Sequence, residues 1–375
     1  VRVEWRIVCE RSRAVVVDQV VVVGGGVIGM LCALELTDRK VPVRLLESPA
    51  SHAPASWAGG GILSPLFPWR FSEGLSALCQ HALRDYQALA RQILDVGGED
   101  PEVSPHPLLC LGDDPAERVE GWARRWQRQV RHCDAGERYP HLAGQAAWRL
   151  EDSGSIRNPR LLKGLRTLLA ARGVQAESVQ VRAVSRLSSL TLETDKGALS
   201  ASRVVIAAGY GSATLLEGLG VQHDMQPVKG QMLRYTGASA VPDEVILAAE
   251  GYLIPRRDGS VLAGSTLEPG SDDTQVDTSA RVHLQRMAQR LWPPLQDLSP
   301  ENHWAGVRPG RRRDVPVIDS VAGDERVWVC SGHFRNGLVS APASARLLVQ
   351  AMLGEHPDFD LTPYSFSSPG SSDSF

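Results

Sequence analysis

Four consecutive valines, Val20 to Val23, make a run that is apolar on both faces, as a strand buried in a parallel sheet requires. Glycines at 24, 25, 26 and 29 follow, and then apolar positions at helical spacing as far as Leu36. Val43, Leu45 and Leu46 read as a second strand, which ends on Glu47. The predicted order is strand, glycine turn, helix, strand, acid, which is a βαβ unit. Helical periodicity recurs over 75–96, 115–133, 158–172 (opened by Pro159), 281–291 and 341–353. Trp122 and Trp126, four apart, fit core or interface packing, with an aromatic cofactor box as the alternative. Residues 50–71 are irregular, rich in Ala, Gly, Ser and Pro.

Strands are expected at 179–184 and 190–194. Residues 203–209 are expected as a buried strand ending in a small-residue turn, and 327–330 as a late buried strand before a glycine-bearing turn. Alternation over 227–235, 245–255 and 261–264 predicts a run of further strands. The fold class that follows is α/β, or α+β overall. A Rossmann-like nucleotide domain is discontinuous, formed from 18–90, 150–222 and 305–354. A mostly antiparallel substrate domain, 91–149 and 223–304, is inserted into it. Residues 1–17 are expected as an N-terminal extension and 355–375 as a partly disordered, serine-rich tail.

The βαβ unit carries chemistry. Gly24 permits the tight turn, Gly26 lets the backbone approach a pyrophosphate, and Gly29 lets the helix pack against the strand. The helix N-terminus offers unpaired N–H groups and a positive dipole end to phosphates. Glu47 lies 18 positions after Gly29, near the roughly 20 expected of an acid that accepts from ribose hydroxyls. An acid there favours an unphosphorylated ribose, hence FAD or NAD rather than NADP.

Composition narrows the class. A net charge of −3 over 375 residues gives no electrostatic case for nucleic acid. The six cysteines are Cys9, Cys32, Cys79, Cys110, Cys133 and Cys330; they form no CxxC, so neither a disulfide framework nor a zinc site is expected. The ten histidines show no HxxxH or HxH spacing, and no metal is expected. No apolar run approaches the ~20 residues that span a bilayer. Residues 1–17 lack the apolar core of a signal peptide. A cytoplasmic protein without membrane association is the expectation.

Five blocks together resemble the D-amino-acid-oxidase-type flavoproteins and, within them, the glycine oxidases of the thiamine pathway. The blocks are VVVVGGGVIG with Glu47, SWAGGGILSP from Ser56, VVIAAG ending at Gly209, GVRPG around Arg308, and GHFRNGLVSAP from Gly332. The first and third occur in many FAD enzymes; the last two, in this order and spacing, are specific. The resemblance implies noncovalent FAD, since 311–319 hold no cysteine. It places Val27 and Ile28 at the pyrophosphate, Glu47 and Ser48 at the ribose, and Val181 at the adenine. Ala55, Ser56, Gly60, Gly61 and Ile62 would cradle the phosphates and the isoalloxazine edge. The turn His333, Phe334, Arg335, Asn336, Gly337, Leu338 and Val339 would approach the pyrimidine ring.

The resemblance also implies that Arg308 binds the substrate carboxylate, that Tyr252 hydrogen-bonds the substrate and that Arg335 lies near substrate and flavin. Leu267 stands where the pattern usually has Met and would keep an apolar wall. The implied reaction transfers the α-hydrogen of a neutral amine to the flavin, with O2 as final acceptor. From glycine its products would be glyoxylate, ammonia and peroxide; sarcosine and small D-amino acids are implied as further substrates. The implied partners are the amino acid, O2, a thiazole synthase that receives the imine, and further copies of the chain in a homo-oligomer. A D-amino-acid dehydrogenase, a sarcosine oxidase and a noncatalytic flavin subunit remain alternative readings.

Overall fold

The chain is described from a computed structural model, which covers residues 19–49, 54–186 and 189–366. The extension expected at 1–17 and the serine-rich end at 367–375 lie outside the described residues.

Val20–Val23 sits within a six-stranded sheet. Its order is Val317–Val321, Asp324–Ser331, Arg203–Ile206, Val20–Val23, Val43–Glu47, Ala176–Ser178. Val20–Val23 pairs in parallel with both neighbours, and only the pair Val317–Val321 and Asp324–Ser331 is antiparallel. The valines alternate between two cores. Val20 and Val22 pack under the helices Val27–Asp38, Asn158–Ala171 and Gly337–Leu353. Val21 and Val23 pack under a three-stranded layer, Val181–Ser185, Leu190–Thr194 and Gly197–Ala201. A sheet covered on both faces needs apolar side chains at every position, which explains the unbroken valine run. A β-carbon at Gly29 would stand 1.8 Å from the Gly24 carbonyl oxygen, so the helix packs against the turn as the glycine spacing predicts.

A second sheet carries the other wall of the site. Gln226–Tyr235 pairs along its length with Asn302–Gly310 and, on its other edge, with Val261–Gly264 and Glu268–Pro269. Gly251–Pro255 and Val245–Ala248 continue the sheet, and Val245–Ala248 pairs in parallel with Leu108–Leu111. Ala146–Leu150 and Val130–Asp134 complete it. Asn302–Gly310 runs through the domain boundary expected at 304/305, so this sheet reaches Gly310.

Three expectations are corrected. The helix expected over 115–133 is Ala116–Arg125; Gln127 turns the chain with φ 52°, and Val130–Asp134 is an edge strand. The helix expected over 75–96 is two, Glu73–Cys79, capped by Ser72, and Ala82–Asp95. The strand expected over 245–255 is a hairpin that turns at Ala249 and Glu250. Trp122 packs edge-on against Trp69 and donates to Ser76 Oγ at the rim of a hydrophobic cluster, as core packing requires. Among the described residues, no helix is long and apolar enough to cross a membrane. Burial raises the thiol pKa values of Cys79 and Cys110, as befits inert core cysteines.

Candidate active site

A cavity of about 530 Å³ lies where the two sheets meet, within the range of about 300–1,000 Å³ typical of cofactor and small-ligand sites. The glycine turn, Glu47, Ser48, residues 54–56 and 59–62 at the two ends of the helical turn Ala55–Ala58, Val181, Gly209 and the turn from His333 to Leu338 line it. Tyr252 and Arg308 line its second wall. Of the cofactor residues singled out from the sequence, Gly29 and Val339 do not line it; both are buried in the packing behind.

The cradle is shaped by missing side chains. Gly24 has φ 117°, and a β-carbon there would stand 2.3 Å from the Ala207 carbonyl oxygen. A β-carbon at Gly25 would strike the Glu47 side chain at 2.6 Å. Glu47 itself is held by Arg166, with Nη2 to Oε1 at 2.8 Å. Ser56 Oγ accepts from the Val27 N–H at 3.0 Å, tying the first turn of the helix to the 54–62 loop. Helix Gly337–Leu353 begins at the cavity wall, so the positive end of its dipole faces the same space. His333, 3% exposed, has an Nε2 with no protein partner among the described residues. Enclosure, a glycine cradle, two helix N-termini and an acid at the ribose distance fit a dinucleotide such as FAD.

Two residues that sequence reasoning missed hold the loop. Asn158, 1% exposed, donates from Nδ2 to the carbonyls of Ser56 (2.9 Å) and Gly59 (3.1 Å). Arg256 donates to the carbonyls of Gly60 (2.6 Å) and Ile156 (3.0 Å). Burial, reinforced by the Arg157 charge, pushes the Arg256 pKa down to about 10. Nothing local marks either residue, because each acts on backbone far away in the chain.

Arg308 projects from Asn302–Gly310. Its Nη2 donates to Ser265 Oγ at 2.8 Å, and its Nη1 to the carbonyls of Lys229 (3.3 Å) and Thr266 (3.4 Å). All three partners are neutral, and among the described residues no carboxylate lies at ion-pair distance. Burial lowers its pKa, and the like charge of Arg335 adds to the shift. Gly230, on the facing strand, makes room for this guanidinium; it too was missed from the sequence. Tyr252 is 7% exposed, and its hydroxyl has one weak contact, the Met232 sulfur at 3.9 Å. Arg335 lines the cavity beside the Phe334 ring (5.1 Å), with no ion pair among the described residues. Arg335 influences Arg308, and Tyr252 influences both, so the three share one electrostatic neighbourhood.

The apolar wall expected from Leu267 is corrected. Leu267 is 41% exposed and does not line the cavity, because the link between strands Val261–Gly264 and Glu268–Pro269 places Ser265 and the Thr266 carbonyl inward at Arg308. Among the described residues, no cluster of His, Cys, Asp or Glu is placed to hold a metal ion.

The family model described as DAO, FAD dependent oxidoreductase, matches residues 19–351. A protein named glycine oxidase from Pseudomonas aeruginosa is 41% identical over 358 residues, covering 93% of this chain and 98% of that one. A Synechocystis protein named bifunctional protein ThiO/ThiG is 28% identical, covering 90% of this chain and 52% of its own. A crystal structure titled glycine oxidase from Geobacillus kaustophilus superposes with a TM-score of 0.87 at 25% identity, covering 94% of this chain and all of that one.

Proposed function

This chain belongs to the FAD dependent oxidoreductase (DAO) family and is an FAD-dependent amine oxidase, and we propose that it oxidises glycine with O2, and sarcosine and small D-amino acids by the same route. Glycine, O2 and water would give glyoxylate, ammonia and hydrogen peroxide. Arg308 carries this reading. A guanidinium enclosed by protein and surrounded only by neutral acceptors lacks its anion, and a substrate carboxylate supplies one through two parallel hydrogen bonds. The Tyr252 hydroxyl donates to the same carboxylate, and Arg335 adds positive charge on the side of the cofactor turn. Bound FAD supplies the two-electron acceptor for the carbon–hydrogen bond beside the amine. The protein's own work is to anchor the carboxylate, orient that bond and keep the space dry.

The cofactor roles follow the cavity. Glu47 and Ser48 would take the adenosine ribose, Val181 the adenine, and Val27 and Ile28 the pyrophosphate. The 55–62 loop and the 333–338 turn would flank the isoalloxazine. FAD would be noncovalent. The Synechocystis relative's name supports a further reading, that the imine product serves the thiazole branch of thiamine synthesis by transfer to a thiazole synthase. A cytoplasmic homo-oligomer is part of the same proposal.

An anaerobic absorption spectrum of the FAD-loaded protein tests it. Bleaching by glycine, reversed by air with release of peroxide, is the expected result. Bleaching by D-alanine or D-proline but not glycine would move the substrate to D-amino acids, and reoxidation without peroxide would replace O2 as acceptor.

A further inference from the structure

Helix Gly337–Leu353 contains a proline at its sixth position, Pro342. Proline has no N–H, so the carbonyl four residues earlier, that of Leu338, loses its helical donor; the pyrrolidine ring also crowds that carbonyl. Leu338 is part of the cavity wall. The phenol of Tyr86, a fully buried residue on helix Ala82–Asp95, donates to the Leu338 carbonyl oxygen at 2.7 Å. A donor from another helix thus stands where the backbone donor is missing.

We propose that Tyr86 is a positioning residue for the cofactor site: its hydroxyl replaces the hydrogen bond that Pro342 removes, and so fixes the turn that presents Arg335, Asn336 and Leu338 to the cavity. The turn and the helix start form one structural unit. Gly337 and Leu338 are the first helical residues, and Asn336 donates its N–H to the His333 carbonyl at 3.0 Å. If the Leu338 peptide rotates to find water, the stretch of cavity wall formed by Gly337 and Leu338 moves with it. Tyr86 touches neither cofactor nor substrate; it acts through one carbonyl. A second link joins the same helices, Asp85 to Arg346 at 3.6 Å, so loss of the phenol frees the turn without parting the helices.

A double-substitution cycle tests this. Tyr86→Phe orphans the Leu338 carbonyl, whereas Pro342→Ala returns a backbone N–H to it. In the chain that keeps Pro342, Tyr86→Phe is expected to weaken FAD binding about fivefold or more, as an unpaired buried acceptor implies. It should also shift the visible absorption of bound flavin. In the Pro342→Ala background the same change should weaken binding less than about twofold, since the two donors are redundant there. The FAD arm rests on the family's cofactor. Amide hydrogen exchange of residues 334–341 in the FAD-free protein does not: it should quicken in Tyr86→Phe and recover in the double variant. Equal effects of Tyr86→Phe in both backgrounds would overturn the proposal. So would a lower melting temperature with unchanged exchange in the turn, unchanged FAD affinity and an unchanged flavin spectrum. Failure of the wild-type protein to oxidise glycine would overturn the substrate reading and leave this one standing.

Discussion

A β-carbon at Gly230 would stand 2.1 Å from Arg308 Nη1 and 2.2 Å from Nη2. The two residues share one corner of the cavity only because Gly230 has no side chain. Gly230→Ala must push the guanidinium aside, because the strand backbone opposite is fixed by nine paired positions. A reacting group misplaced by about 1 Å can cost roughly 100-fold in rate. We expect a loss of that order in kcat/KM for glycine, with FAD content unchanged; steady-state kinetics beside the flavin absorbance of the purified variant decide it.

Arg308→Ala removes the proposed carboxylate anchor outright. Truncating one member of a buried charged pair costs about 2 kcal/mol or more, at least roughly 30-fold. The loss should fall on KM before kcat, and added guanidine should restore part of it. A variant with unchanged KM would place the carboxylate elsewhere.

Tyr252→Phe should leave stability alone. The hydroxyl gives up only its contact with the Met232 sulfur, so thermal melting should hardly move. A single neutral hydrogen bond to the substrate is worth about 1 kcal/mol, or roughly fivefold in kcat/KM. A large fall in melting temperature would mean that the hydroxyl has a structural partner instead.

Glu47→Ala removes the acid that Arg166 holds at the cavity. A hydrogen bond to a charged group contributes about 1.5–3 kcal/mol, so FAD affinity should fall by roughly tenfold or more. Titration of the FAD-free protein with FAD measures this. Equal affinity in variant and wild type would remove Glu47 from the cofactor site.

Asp258 contributes to acid stability. Burial opposes its ionisation, but hydrogen bonds from Ser260 and the charges of Arg157 and Arg234 hold its pKa at about 2. A carboxyl depressed in the folded state stabilises the protein above its unfolded pKa, near 3.9, and that contribution is lost as pH falls through the folded value. Asp258→Asn should therefore melt lower than wild type at neutral pH, and the difference should close between about pH 4 and pH 2. A constant difference across that range would rule the assignment out.

The cofactor half of the site is legible because its signal is local. Gly24, Gly26, Gly29 and Glu47 belong to one short segment whose spacing alone carries the geometry. Gly230 is invisible for the opposite reason: a glycine inside a strand pattern reads as a weak point until the guanidinium across the sheet is known. Asn158 reads as a helix start and nothing in the sequence marks Arg256, yet both support backbone about 100 and 200 positions away. The helix expected over 115–133 runs too long because Trp126, Val130 and Cys133 also satisfy helical spacing, and no Gly or Pro marks the turn at Gln127. The hairpin within 245–255 turns on Ala249 and Glu250, neither a usual turn residue, so its two arms read as one strand. Leu267 is misplaced because the residues flanking a strand end can face either way, and only the bonds from Arg308 to Ser265 and Thr266 decide it.

The six-stranded sheet takes its strands from residues 20–47, 176–206 and 317–331, and the cavity closes only with Leu338. During synthesis, then, most of the chain must leave the ribosome before any complete FAD site exists. The valine strand waits for Arg203–Ile206 on one edge, with apolar side chains and unpaired backbone N–H and C=O groups open to other chains meanwhile. Yield in a cell should therefore depend on chaperone supply during that interval, and extra FAD can help only chains already made as far as Leu338.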